Sequence, residues 1–83
     1  MEYKLIEPIK KVDGEIIKKV EIKEKYQGRD VRQVLNSKGE GDAEIKMVAA
    51  AIGMSETTVD NMDARDVVAI AKVAKPFFAP GEN

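Results

Sequence analysis

Between Ile45 and Ile52 the only strongly polar residue is Lys46, and this run restricts the fold of the chain more than any other stretch. Ile45, Val48, Ala49 and Ile52 fall at i, i+3, i+4 and i+7, one stripe of a helix predicted over 42–53. Met47, Ala50 and Ala51 carry apolar surface onto its flanks, so neighbours must cover it on most sides. Asp42 is placed to cap the first turn, Glu44 suits the positive end of the helix dipole, and Gly53 stands where a left-handed residue would stop the helix. The alanines let those neighbours come close. The remaining segments then serve as the cover of this central helix.

With 83 residues the chain reads as one domain, 1–83, and a chain of this size buries only about 60% of the surface its unfolded form exposes. Aromatic residues make up 5% and Trp is absent, so the core must be aliphatic and thin. A formal net charge of -1 supplies no global field toward nucleic acid or acidic lipid. Without Cys there is no disulfide framework or thiol nucleophile, and without His the commonest general base and metal ligand is missing. Residues 1–11 carry charges throughout and contain no signal-peptide core, and no apolar run has the length of a membrane span. The expected place of action is the cytoplasm.

Ahead of the central helix, 3–24 reads as a hairpin around Asp13-Gly14, a pair that favours the two positive φ angles of a type I′ turn. With those two as the loop, Leu5 pairs with Ile22, Glu7 with Val20, Ile9 with Lys18 and Lys11 with Ile16. One face then gathers Tyr3, Leu5, Ile9, Ile16, Val20 and Ile22, and Pro8, which lacks an N–H, marks an edge or a bend. Further helices are predicted at about 29–37, with Val31, Val34 and Leu35 inward, at 55–61, capped by Ser55, and at 63–75, capped by Asp63 and ended by Pro76. A loose tail, 76–83, follows. The predicted fold class is α+β: an N-terminal antiparallel β-hairpin packed on a small bundle of three to four helices.

Ala49, Gly53, Met54, Val59 and Met62 match the spacing of a helix-turn-helix, which makes a small DNA-binding regulator of a mobile element the alternative function. Its recognition segment, however, offers Glu56, Thr57, Thr58, Asp60 and Asn61, and two carboxylates facing phosphates oppose DNA binding. Asp60, Asp63 and Asp66 recur every third residue as a cation site would, yet Asp63 is accounted for as a cap and Asp66 as a first-turn charge. No metal, no cofactor and no catalytic group is expected. Lys10, Lys11, Lys18 and Lys19 form a basic tip that Glu7, Asp13, Glu15 and Glu21 offset. Phe77-Phe78 either folds back over the hairpin or anchors a partner.

The order of a charged hairpin, a short helix with Asp30, a polar spacer, the helix Glu44 to Met54, and then Val59, Met62 and Asp66 resembles the small tail assembly chaperones of contractile-tailed phages and Mu-like prophages. Asp30 and Asp66 match the acidic positions that open the first and last helices of that family, and Ile52-Gly53-Met54 matches the end of its central one. Where the family has Arg-Pro-Thr, this chain has Lys25-Tyr26-Gln27, without the threonine cap. The resemblance implies a non-enzymatic chaperone, in the cytoplasm of a bacterial host, that binds the tape-measure protein before the tail tube polymerises. It also implies a longer frameshifted form that would begin after Pro76, and the apolar surface that binds a client is expected to let the free protein self-associate. Neither nucleic acid nor membrane is an implied partner. Tyr3, Phe77 and Phe78 are the predicted partner-binding residues.

Overall fold

The computed structural model describes residues 1–78. Two antiparallel strands, β1 (Glu2–Lys10) and β2 (Ile16–Glu21), form a hairpin. Four helices follow: α1 (Gly28–Leu35), α2 (Glu40–Ile52), α3 (Glu56–Asp60) and α4 (Ala64–Phe78). The fold is α+β, a hairpin laid on helices, as the alternation and the glycine turns imply.

The turn differs from the predicted one. Gly14 has a φ of 91° and, among the described residues, none other than glycine has a positive φ, so Asp13 does not adopt the left-handed geometry that a type I′ turn requires. Instead the Gly14 N–H donates to the Lys11 carbonyl at 2.9 Å and the Lys11 N–H to the Glu15 carbonyl at 2.8 Å, closing a three-residue loop, Val12-Asp13-Gly14. The Asp13 carboxylate accepts the Glu15 N–H at 2.9 Å and holds the loop. One more residue in the loop moves the register by one. Ile9 lies opposite Ile17 and Lys10 opposite Ile16, and Ile16 is half exposed while Ile17 takes its place against the core.

The phase is restored by a bulge. Pairing passes from Lys4 opposite Lys19 to Ile9 opposite Ile17, so Leu5, Ile6, Glu7 and Pro8 face Lys18 alone. Such a detour bends the strand and leaves its amides without ladder partners. It returns Tyr3 to a position opposite Val20, in place of the predicted Glu7 with Val20 and Leu5 with Ile22. Leu5, Ile9, Val20 and Ile22 are buried, as the sequence pattern requires.

The central helix α2 is stopped by Gly53, which is left-handed at φ 68° and ψ 34°. Its start lies earlier than predicted: Gly39 is the cap residue, and Asp42, in the third helical position, accepts the Lys38 N–H at 2.9 Å. At the far end, the Ala51 carbonyl, one of the helix's orphan acceptors, takes the Lys23 N–H at 2.9 Å and ties the exit of β2 to α2. Val48 and Ala51 of α2 and Ile70 and Ala74 of α4 are 0% exposed. The small alanines let the two helices approach.

The short helices follow their caps. Ser55 accepts the Thr58 N–H at 3.2 Å to open α3, and α1 begins without a threonine because Asp30 reaches back to the Gln27 N–H at 2.9 Å. In α1 only Val34 is buried. Val31 and Leu35, predicted inward, are exposed, because α1 presents only a narrow edge to the core.

Pro76 does not end α4, which continues to Phe78. Proline removes the one N–H that would reach the Lys72 carbonyl, a modest loss so near a helix end. In compensation the last two helical residues pack on Tyr26, with ring centroids 5.7 Å apart for Phe77 and 4.6 Å for Phe78. The predicted loose tail is thus helical over 76–78, and its remainder, 79–83, lies outside the described residues.

Candidate functional site

The most connected polar group of the structure is Asp66. It occupies the third position of α4 and is 0% exposed, although it is an acidic residue with no basic side chain bonded to it. Asp66, Ile70 and Ala74 form one i, i+4, i+8 stripe of fully buried residues, so the helix turns this carboxylate inward along with its apolar neighbours. There it meets the bulge of β1. Its Oδ1 accepts the Tyr3 hydroxyl at 2.8 Å and the Ile6 N–H at 2.9 Å, and its Oδ2 accepts the Ile6 N–H at 3.1 Å and the Glu7 N–H at 3.1 Å. The amides that the bulge takes out of the strand ladder are the donors that make burial of this acid affordable. Its place in the first turn of α4, at the positive end of the dipole, adds to the same effect.

This arrangement keeps Asp66 in the first turn of α4, as expected from the sequence, and buries its charge. It also separates the three aspartates spaced as a cation site: Asp66 faces inward, Asp63 accepts from the Arg65 side chain at 3.0 and 3.1 Å, and Asp60 is exposed. Among the described residues no cluster of three acidic, His or Cys side chains is arranged to hold a metal ion. Asp63 does cap α4, its carboxylate taking the Arg65 N–H at 2.8 Å and its carbonyl the Asp66 and Val67 N–H groups at 3.0 and 3.1 Å. The Arg65 guanidinium beside it holds the Asp63 carboxyl below its usual range. Two signals in the sequence point to the buried role of Asp66. Pro8 in mid-strand demands a bulge whose amides need an acceptor, and Asp66 lies on the apolar stripe of the last helix.

Burial pushes the Tyr3 hydroxyl above its ordinary value near 10, and its hydrogen bond to Asp66, then the charge of that carboxylate, push it further. The folded state therefore favours the neutral phenol. Its contribution to stability is complete below the unfolded tyrosine pKa of about 10 and is lost as pH rises through the higher folded value. The thermal midpoint is expected to fall in this alkaline range, and to fall less steeply in Tyr3→Phe. Tyr26 is pushed upward as well, by burial and then by Asp30, so the difference between the two proteins isolates Tyr3. Equal slopes would remove Tyr3 from the pH response.

The three residues predicted to bind a partner lie in two places. Tyr3 is half-buried with its hydroxyl committed to Asp66. Phe77 and Phe78 share a cluster with Tyr26, whose hydroxyl donates to the Lys23 carbonyl at 2.8 Å. Phe78 packs against the core, whereas Phe77 keeps 46% of its surface exposed. The helix-turn-helix-like corner is occupied by packing: α3 has five residues, Val59 is buried, and Glu56 pairs with Lys46 of α2 at 3.4 Å. At the basic hairpin tip Lys11 pairs with Glu15 at 3.3 Å, one of the interleaved acids, whereas Lys19 pairs with Glu2 at 2.7 Å, an acid outside the predicted set. Among the described residues no helix is long and apolar enough to cross a membrane.

Comparison with curated proteins and with solved structures gives no match. The family model described as phage tail assembly chaperone proteins, E, or 41 or 14, matches residues 2–79, a span that includes the hairpin, its bulge, all four helices and the Asp66 network. The order of elements that resembled this family in the sequence is thus matched over nearly the whole length, and the chain belongs to the phage tail assembly chaperone family.

Proposed function

We propose that this chaperone binds the tape-measure protein of its own phage or prophage, in the cytoplasm of the bacterial host, and releases it as the tail tube polymerises. The observation that carries this reading is the family match across residues 2–79. The structure is consistent with a role that needs apolar surface and no reaction centre. Ile6, Ile16, Val68 and Phe77 are exposed large apolar side chains on the hairpin and on α4. Phe77, Phe78 and Tyr3 are the proposed contacts with an amphipathic segment of the client. Of the three, Phe77 offers the most open ring, held in place by Tyr26 beneath it.

A chaperone that must leave when the tube assembles is best served by micromolar binding, about −8 kcal/mol for each bound copy. Several copies along one long client then supply avidity without a permanent complex. The same exposed surface accounts for the proposed self-association, and a longer frameshifted form would extend the chain beyond α4.

The test is co-expression with the tape-measure protein of the same element, comparing wild type with a Phe77→Ala, Phe78→Ala variant. Wild type is expected to solubilise and co-purify with the client, and the variant to lose most of that capture while remaining folded by circular dichroism. Failure of wild type to capture the client overturns the function. Full capture by the folded variant removes only the aromatic contact.

A further inference from the structure

A groove of about 490 Å³ runs between α2 and α4 on the outside of the molecule. Its floor is apolar. Met47 and Ala43 of α2 are half-buried there, and Val68 of α4 is 47% exposed. Its walls have opposite charge. Glu40 and Glu44 line the α2 side, and Lys72 and Lys75 line the α4 side. Among the described residues none of these four takes part in an ion pair, although other surface charges of the chain do.

From this arrangement we infer that the groove is a docking site for one amphipathic α-helix of the client, with basic residues along the edge that meets Glu40 and Glu44 and acidic residues along the edge that meets Lys72 and Lys75. The inference rests on the proposed client-binding function and assigns it a second surface, distinct from the Tyr26–Phe77–Phe78 cluster. Three features select a helix. The acidic wall repeats at i, i+4 and the basic wall at i, i+3, spacings of about 5–6 Å that match successive turns of a third helix lying alongside. Ala43 and the buried Ala71 keep the floor low, which permits the interaxial separation of about 8–10 Å that packed helices adopt. The span from Val68 to Lys75 is about 10 Å at the rise of a helix, room for two turns of the client. Opposite charges on the two walls also fix orientation: a client helix with its charged edges exchanged would set like charges against each other on both sides.

The chain contains no Cys, so a single introduced thiol reports position cleanly. Val68→Cys, at the floor, and Val31→Cys, on the exposed edge of α1, each labelled with a photo-crosslinker, are to be co-purified with the tape-measure protein and irradiated. The Val68 probe is expected to crosslink to a client segment of the stated charge pattern, and the Val31 probe not to. A Lys72→Glu, Lys75→Glu variant is expected to bind the same client roughly tenfold more weakly, with its thermal midpoint retained because both side chains are exposed. If wild type captures the client but neither the Val68 crosslink nor the charge reversal distinguishes the groove, the groove assignment is overturned and the chaperone function stands. If wild type captures no client, both fall.

Discussion

Asp66→Ala is expected to leave the protein largely unfolded at 25 °C. The substitution strands the N–H groups of Ile6 and Glu7 and the Tyr3 hydroxyl, all of which donate to this carboxylate. Each of these part-buried donors left without an acceptor costs up to about 1–3 kcal/mol. A domain of this length has a total stability of only about 4–12 kcal/mol, so the loss is a large fraction of the whole. Asp66→Asn is expected to be milder, because one oxygen remains for the bulge amides and the new amide can donate to the Tyr3 oxygen. It is still destabilising, since the same amide places N–H groups against a site built for donors. Urea unfolding of the three proteins decides the matter. If Asp66 served only to complement the helix dipole, both substitutions would cost less than about 1 kcal/mol, and an unchanged midpoint in Asp66→Ala would remove the carboxylate as the link between α4 and β1.

The second large effect belongs to the central helix. Val48→Asp places a charge in the middle of α2 at a position that is 0% exposed, and an unpaired buried charge costs about 3–5 kcal/mol even after local relaxation. Loss of soluble, cooperatively unfolding protein is the expected result. Val48→Ala is the measurable companion: the removed methyl groups and the cavity they leave cost about 2 kcal/mol, read as a lower urea midpoint with the slope preserved. Leu35→Asp supplies the contrast. Leu35 is an aliphatic residue on a helix like Val48, yet it is 78% exposed, and its replacement is expected to leave stability nearly unchanged. A Val48→Asp protein as stable as Leu35→Asp would displace α2 from the centre of the core.

Leu35 and Val48 also mark how far periodicity reaches. Where an apolar stripe was broad, as in α2 and in Val67, Ile70, Ala71 and Ala74 of α4, the pattern identified the buried face, because a wide stripe has no alternative way out of water. In α1 the stripe of Val31, Val34 and Leu35 was narrow, and the partner surface had room for Val34 only. Three of the caps were legible for the same local reason, whereas Asp42, expected to cap α2, lies inside its first turn. Ser55, Asp63 and Gly53 act within one turn of their own chain, so neighbouring residues are sufficient to specify them.

The hairpin shows the limit. Asp13-Gly14 located the turn but not its type, since a two-residue and a three-residue loop use the same pair and differ by one step of register. A uniform ladder then implied partners that the bulge at Leu5–Pro8 does not allow. The bulge is stable only because a carboxylate about 60 residues later accepts its amides. Likewise, Pro76 carried a valid local reason to stop α4, but Tyr26, far away in sequence, gives Phe77 and Phe78 a surface worth extending the helix to reach.

The sequence by itself determined the α+β class, the place of the central helix and the order of elements that identifies the family, because these depend on periodicity, caps and turn residues acting over a few positions. Only the tertiary structure decided the strand register, the burial of Asp66 and the meeting of Tyr26 with the end of α4. Each of those joins groups distant in the chain, and their free energy exists only once packing has excluded water and brought donor, acceptor or ring face into contact.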